Sequence, residues 1–70
     1  MSASAQYNYF LGKLGTLPTD RGNRLTQFYA SGPECFAAAE RSKRADPYTK
    51  VRVWEQNRFG QWSSINQWVI

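Results

Sequence analysis

The chain contains no histidine, and its 70 residues include only one cysteine, Cys35. Histidine is the commonest general acid–base group and the commonest metal ligand, and a lone cysteine can form no internal disulfide. The acidic residues stand singly along the chain, without the spacing of a cation-binding loop: Asp20, Glu34, Glu40, Asp46 and Glu55. We therefore expect no enzymatic activity, no metal and no cofactor.

Long apolar runs are also missing. No window approaches the roughly 18 apolar residues of a membrane span, and residues 1–6 lack the basic start and apolar stretch of a secretory signal. Together with the single thiol, this pattern predicts a cytoplasmic protein that does not enter a membrane. A chain of this length holds one core, so we expect a disordered tail at residues 1–5 and a single domain at residues 6–70.

Aromatic and basic residues are plentiful. The chain carries 3 Trp, 4 Tyr and 4 Phe, and 9 Lys and Arg against 5 Asp and Glu give a formal net charge of +4. Apolar residues make up 41% of the chain, which is enough for a folded core. The positive balance favours anionic partners without choosing among them.

Alternating side chains predict two strands in the first half of the chain. The first is expected over residues 7–14 and the second over residues 24–30, with a turn-rich loop at residues 15–23 between them. The run Asp20-Arg21-Gly22-Asn23 could form a small phosphate nest, but a single glycine without a following helix is a weak signal, and a plain turn is the favoured interpretation.

A helix is predicted to begin at Ser31 and to end near Ala45. Ser31 and Glu34 have the spacing of a capping box, and Pro33 falls in the first turn, where it loses no hydrogen bond. The Asp46-Pro47 pair then stops the helix. Cys35, in its first turns, is expected to be a buried core thiol rather than a nucleophile.

The last third of the chain predicts a β-hairpin around the turn Asn57–Gly60. In the expected register, Val53 faces Ile65 and Glu55 faces Ser63. The fold class is therefore α+β, a small antiparallel sheet in ββαββ order with one helix packed on one face. The residues expected to form the core between helix and sheet are Phe36, Val51, Val53, Ile65 and Val69.

One face of this hairpin interleaves cations with aromatic rings, and we call it the basic aromatic face. It comprises Tyr48, Lys50, Arg52, Trp54, Trp62 and Trp68. Such a surface can stack bases on its rings while its cations hold phosphates, but Trp, Tyr and Arg also dominate protein interfaces. A third interpretation is that the tryptophans complete a second small core.

Two further groups could contribute to binding. Arg58 and Phe59 occupy the tip of the hairpin, where an apolar ring beside a guanidinium could enter a groove or fold back on its own strands. A secondary basic patch, formed by Arg41, Lys43 and Arg44, lies at the end of the helix, where it could equally be a solvated helix terminus.

These patterns predict a small non-catalytic binding module that uses the basic aromatic face to engage an anionic partner, most concretely nucleic acid. The alternative is a protein–protein adaptor or inhibitor, such as a phage- or mobile-element-encoded modulator of a host protein, that docks on an acidic protein surface. The chain could be a monomer, or a dimer paired through an exposed edge strand at residues 61–70.

Overall fold

The computed structural model of the chain describes residues 7–65. Four strands and one α-helix follow each other in the order β1 (Tyr9–Lys13), β2 (Phe28–Tyr29), α1 (Gly32–Ala45), β3 (Val51–Gln56) and β4 (Trp62–Ile65). The strands form one antiparallel sheet in the order β2-β1-β3-β4, and α1 packs on one of its faces. This is the α+β fold in ββαββ order that the sequence predicts.

The second strand is much shorter than the predicted residues 24–30. Leu25–Gln27 form a turn of 3-10 helix, and only Phe28 and Tyr29 pair with β1. The Gln27 side chain accounts for the difference: its Oε1 accepts from the Arg24 N–H at 2.8 Å, and its Nε2 donates to the Leu11 carbonyl at 3.1 Å. The Gln27 side-chain amide thus forms hydrogen bonds with backbone groups where the prediction placed strand pairing.

The helix begins and ends where its capping residues predict. The Ser31 hydroxyl accepts from the Glu34 N–H at 3.3 Å, and Pro33 lies in the first turn. At the other end, the Asp46 N–H donates to the Ser42 carbonyl at 3.0 Å. Within residues 7–65, no helix is long and apolar enough to cross a membrane.

The hairpin register is also the predicted one. Val53 lies opposite Ile65 and Glu55 opposite Ser63. The Gly60 N–H donates to the Asn57 carbonyl at 3.0 Å, and Gly60 adopts a φ of 84°, the left-handed conformation that glycine accepts most readily. The pairs expected for residues 67 and 69 lie outside the described residues.

The core between helix and sheet is built from small and β-branched side chains. Cys35, Ala39, Val51 and Val53 are buried there. Tyr9, Leu11, Tyr29, Phe36 and Ile65 are half-buried and pack around them. Of the predicted core, Val51 and Val53 are at its centre, Phe36 and Ile65 are at its margin, and Val69 lies outside the described residues.

Candidate functional site

The sheet face that points away from α1 is fixed by the strand register. Phe10 lies opposite Trp54 and Gly12 opposite Arg52, whereas Leu11 and Val53 point toward the helix. Because side chains alternate along a strand, one set of residues shares the helix-free face. Its members within β1, β3 and β4 are Phe10, Gly12, Arg52, Trp54, Gln56, Trp62 and Ser64.

A cluster of aromatic rings covers part of this face. Phe10 is fully buried, and its ring centroid lies 4.9 Å from that of Phe28 and 6.4 Å from that of Trp62. Phe28 and Trp62 are 6.1 Å apart, and both are half-buried. Trp62 therefore belongs to a second small core, one of the three roles that the sequence leaves open for the tryptophans.

Arg52 and Trp54 lie beside this cluster on β3 and are half-buried. The Arg52 Nε and the Trp54 Nε1 are shielded from water, and no acceptor in residues 7–65 meets either of them. A buried donor left without an acceptor costs about 1–3 kcal/mol. Both donors therefore carry a desolvation cost beneath the helix-free face that no acceptor in residues 7–65 offsets.

The strand alternation continues to Lys50, whose carbonyl accepts from the Leu14 N–H at 3.0 Å, and the Lys50 side chain is exposed. Tyr48 is 93% exposed in the turn before β3. Asp46 braces that turn by accepting from the Thr49 hydroxyl and from the Tyr48 N–H, and these hydrogen bonds hold the pKa of Asp46 below its usual value. Trp68 lies outside the described residues.

The hairpin tip is a rigid turn with an exposed ring. The Asn57 Oδ1 accepts from the Phe59 N–H at 2.8 Å and from the Gln61 N–H at 3.0 Å. Phe59 remains 80% exposed, with the Arg58 Cζ 5.9 Å from its ring centroid. The ring therefore does not fold back into the hairpin, the alternative that the sequence left open.

A cleft of about 350 Å³ opens at the base of this tip. Its lining is polar and carries one cation: Asn8, Gln56, Asn57, Arg58 and Gly60. Sequence reasoning missed this cleft because Asn8 joins it through the pairing of β1 with β3. The only local signal was the run Gln56-Asn57-Arg58, a cluster of amide and guanidinium groups beside a turn.

A second cleft, of about 570 Å³, lies between the end of β1 and the loop of residues 15–23. Lys13, Asp20 and Arg24 are among its lining residues. The loop is braced from within, since Leu17 N–H donates to Asp20 Oδ2 at 2.9 Å and Asn23 Nδ2 donates to Leu17 O at 2.8 Å. These bonds identify residues 20–23 as part of a plain structural turn.

The secondary basic patch does not lie on the helix-free face. Arg41, Lys43 and Arg44 belong to α1, which covers the opposite face of the sheet. Arg41 and Arg44 are exposed, and Lys43 is half-buried. The sheet therefore separates these three cations from Arg52 and Trp54.

Cys35 is a core residue of α1. It is fully buried, and burial raises the pKa of its thiol to about 11. A thiol in this state is a poor nucleophile near neutral pH. Within residues 7–65, moreover, no three His, Cys, Asp or Glu side chains come together in a group that could hold a metal ion.

Comparisons with protein-family models, with curated proteins and with solved structures found no significant match to this chain.

Proposed function

We propose that the chain is a small non-catalytic binding module whose helix-free sheet face engages an anionic partner, most concretely single-stranded nucleic acid. The observation that carries the proposal is the position of Arg52 and Trp54. Both project from β3 away from the helix, and their Nε–H and indole N–H groups meet no acceptor in residues 7–65. A nucleic acid strand brings phosphate oxygens, base acceptors and flat rings to one surface.

The neighbouring side chains support this role. Trp54 is half-buried, so part of its ring remains open to a stacked base, and Lys50 adds an exposed cation on the same strand. The packed rings of Phe10, Phe28 and Trp62 hold the centre of the face rigid. A rigid platform loses little conformational entropy on binding, which favours affinity.

The test is fluorescence anisotropy with a labelled oligothymidylate of about 12 nucleotides, inside the range of small sheet modules, measured from about 50 to 200 mM salt. Arg52→Ala should weaken binding and reduce the slope of log affinity against log salt by about one. Trp54→Leu should lose about 1–3 kcal/mol of stacking and leave that slope unchanged.

Arg21→Ala is the matched control, because it removes the same charge from an exposed arginine in the loop of residues 15–23. Thermal melting must show that each variant is folded. The proposal would be wrong if the parent protein failed to bind the oligonucleotide at low salt. It would also be wrong if the two face variants bound it as tightly as the Arg21→Ala control.

A protein partner is the second candidate, and one observation favours it. Two large side chains that lie outside the strands of the sheet are almost fully exposed, Leu25 at 89% and Tyr48 at 93%. Tyrosine is among the residues enriched at interface hot spots, and an exposed leucine adds apolar surface for a partner to bury. Binding of a protein surface through these side chains should fall strongly with Tyr48→Ala and change only weakly with salt, which separates a protein partner from nucleic acid.

A further inference from the structure

We infer that the cleft at the base of the β3–β4 turn is a nucleobase pocket. The inference rests on the proposed function and deepens it, since it assigns the part of the site that reads a base rather than the backbone. The cleft measures about 350 Å³ and is lined by Asn8, Gln56, Asn57, Arg58 and Gly60.

The cleft continues the helix-free face beyond Trp54. Gln56 is two residues after Trp54 on β3 and therefore points to the same side, opposite Trp62. The Gln56 N–H donates to the Asn8 carbonyl at 2.8 Å, so β1 runs beside the end of β3 at this level. Asn8 shares the side of Phe10 by the same alternation. A strand stacked on Trp54 reaches the cleft without leaving the face.

The lining offers an unused donor and acceptors. Gln56 donates through Nε2 to the Gly60 carbonyl at 3.1 Å, which leaves its Oε1 as an acceptor. The Asn8 amide makes no hydrogen bond within residues 7–65, so both its oxygen and its nitrogen are available. Side-chain amides with a donor and an acceptor side by side pair with the edges of bases.

Arg58 supplies the charge. The Arg58 guanidinium makes no hydrogen bond or ion pair within residues 7–65, and its carbon lies 5.9 Å from the centroid of the Phe59 ring, so its donors can meet a phosphate. Phosphate alone would use Arg58 and leave the Asn8 amide unpaired. An apolar side chain of a protein partner would bury both amides without satisfying them. A base with its phosphate satisfies all three groups.

The turn that carries Arg58 is held in place by its own hydrogen bonds. Both ends of the Asn57 amide are engaged, since Oδ1 accepts from two backbone N–H groups and Nδ2 donates to Gln61 Oε1 at 3.2 Å. Phe59 projects from this turn with 80% of its surface exposed. Its ring can flank a base at the tip, as aromatic side chains do for unstacked bases.

The first experiment is a titration of the isotope-labelled full chain with each of the four nucleoside 5′-monophosphates, followed by the NMR signals of the side-chain amides. We expect the Asn8 and Gln56 amide signals to move, to different extents for different bases, while the Asn23 amide stays still. Inorganic phosphate is the comparison. If phosphate moves the Asn8 and Gln56 signals as much as the nucleotides do, or if no nucleotide moves them, the nucleobase pocket is wrong.

The second experiment measures binding of homopolymer oligonucleotides by Asn8→Ala and Arg58→Ala. Asn8→Ala should lower the affinity for the homopolymer of the preferred base by about fivefold or more. It should also reduce the differences in affinity among the homopolymers. Arg58→Ala should weaken all of them and reduce the salt slope, whereas Arg21→Ala should do neither. Melting temperatures confirm folding.

The two proposals fail separately. If the parent binds oligonucleotides and Asn8→Ala binds every homopolymer as the parent does, the pocket is wrong and the sheet face stands. If the parent binds no oligonucleotide, the proposed function is wrong, and the mononucleotide titration still decides whether the cleft accepts a base.

Discussion

The ring of Phe10 lies over the backbone of Gly12. A Cβ atom added to Gly12 would meet Phe10 Cε2 at 2.6 Å and Cζ at 2.8 Å. The two residues are neighbours on the helix-free face because they are separated by one position on β1. Phe10 is completely buried, so its ring has little room to move aside. The bare backbone at Gly12 is thus what lets an aromatic ring pack flat on this side of the sheet.

Gly12→Ala should therefore destabilise the protein. Overpacking of this kind costs about 1–3 kcal/mol. We expect the free energy of unfolding, measured in urea, to fall by an amount in that range. Gly22→Ala is the matched control, since a Cβ at Gly22 would meet nothing within 4 Å and no positive φ is involved. Equal stability of the two variants would show that the Phe10 ring does not occupy this space.

Phe10→Ala should cost roughly 3–5 kcal/mol, because it empties the centre of the aromatic cluster. Phe59→Ala should change the free energy of unfolding by no more than about 0.5 kcal/mol, since its ring is 80% exposed. Chemical denaturation of both variants measures the difference. Similar losses of unfolding free energy from the two substitutions would contradict the assignment of Phe10 to a second core.

Ser31→Ala should cost about 1 kcal/mol, through loss of the hydrogen bond that its hydroxyl accepts from the Glu34 N–H. Ser31→Asp keeps an acceptor at the same position and adds a charge that suits the helix N-terminus, so it should restore the melting temperature. A Ser31→Ala variant that melts with the parent would place the functional start of the helix elsewhere.

Cys35 should react slowly with a thiol reagent at about pH 8 in the folded protein and quickly in urea, because the thiolate is the reactive form. The pKa of the folded thiol is raised from 9.0 to about 11. Stability linked to this group is complete below pH 9 and falls as the pH rises toward 11, since the unfolded chain loses its proton first. Cys35→Ala should reduce the pH dependence of unfolding in that window. Rapid modification of the native thiol would mean that Cys35 is reached without unfolding.

The helix and the hairpin could be predicted because their signals are local. Ser31, Pro33 and Asp46 mark the helix within one stretch of chain, and the turn Asn57–Gly60 fixes the pairing of β3 with β4. Each depends on residues only a few positions apart, where hydrogen bonds and backbone preferences are strong enough to decide the structure.

The burial of Phe10 and the amide-lined cleft could not be predicted in the same way. Residues 7–14 place apolar side chains on both sides of the strand, so alternation alone does not say which side faces the helix. That choice is made by the pairing of β1 with β3, which aligns Leu11 with Val53 and Phe10 with Trp54. The shortness of β2 had a different cause, the capture of backbone groups by the Gln27 side chain.

The central ladder joins segments that are far apart along the chain, with Tyr9 opposite Glu55 at a separation of 46 residues. Closing so long a loop costs chain entropy before any pairing energy is returned, so such contacts form late and slow the folding of a domain. The helix and the hairpin can form early from local contacts. Asn8 and Phe10 reach Gln56 and Trp54 only when this ladder closes. We therefore expect the surface that we assign to ligand binding to form late in folding, and a fragment containing only the hairpin carries half of it.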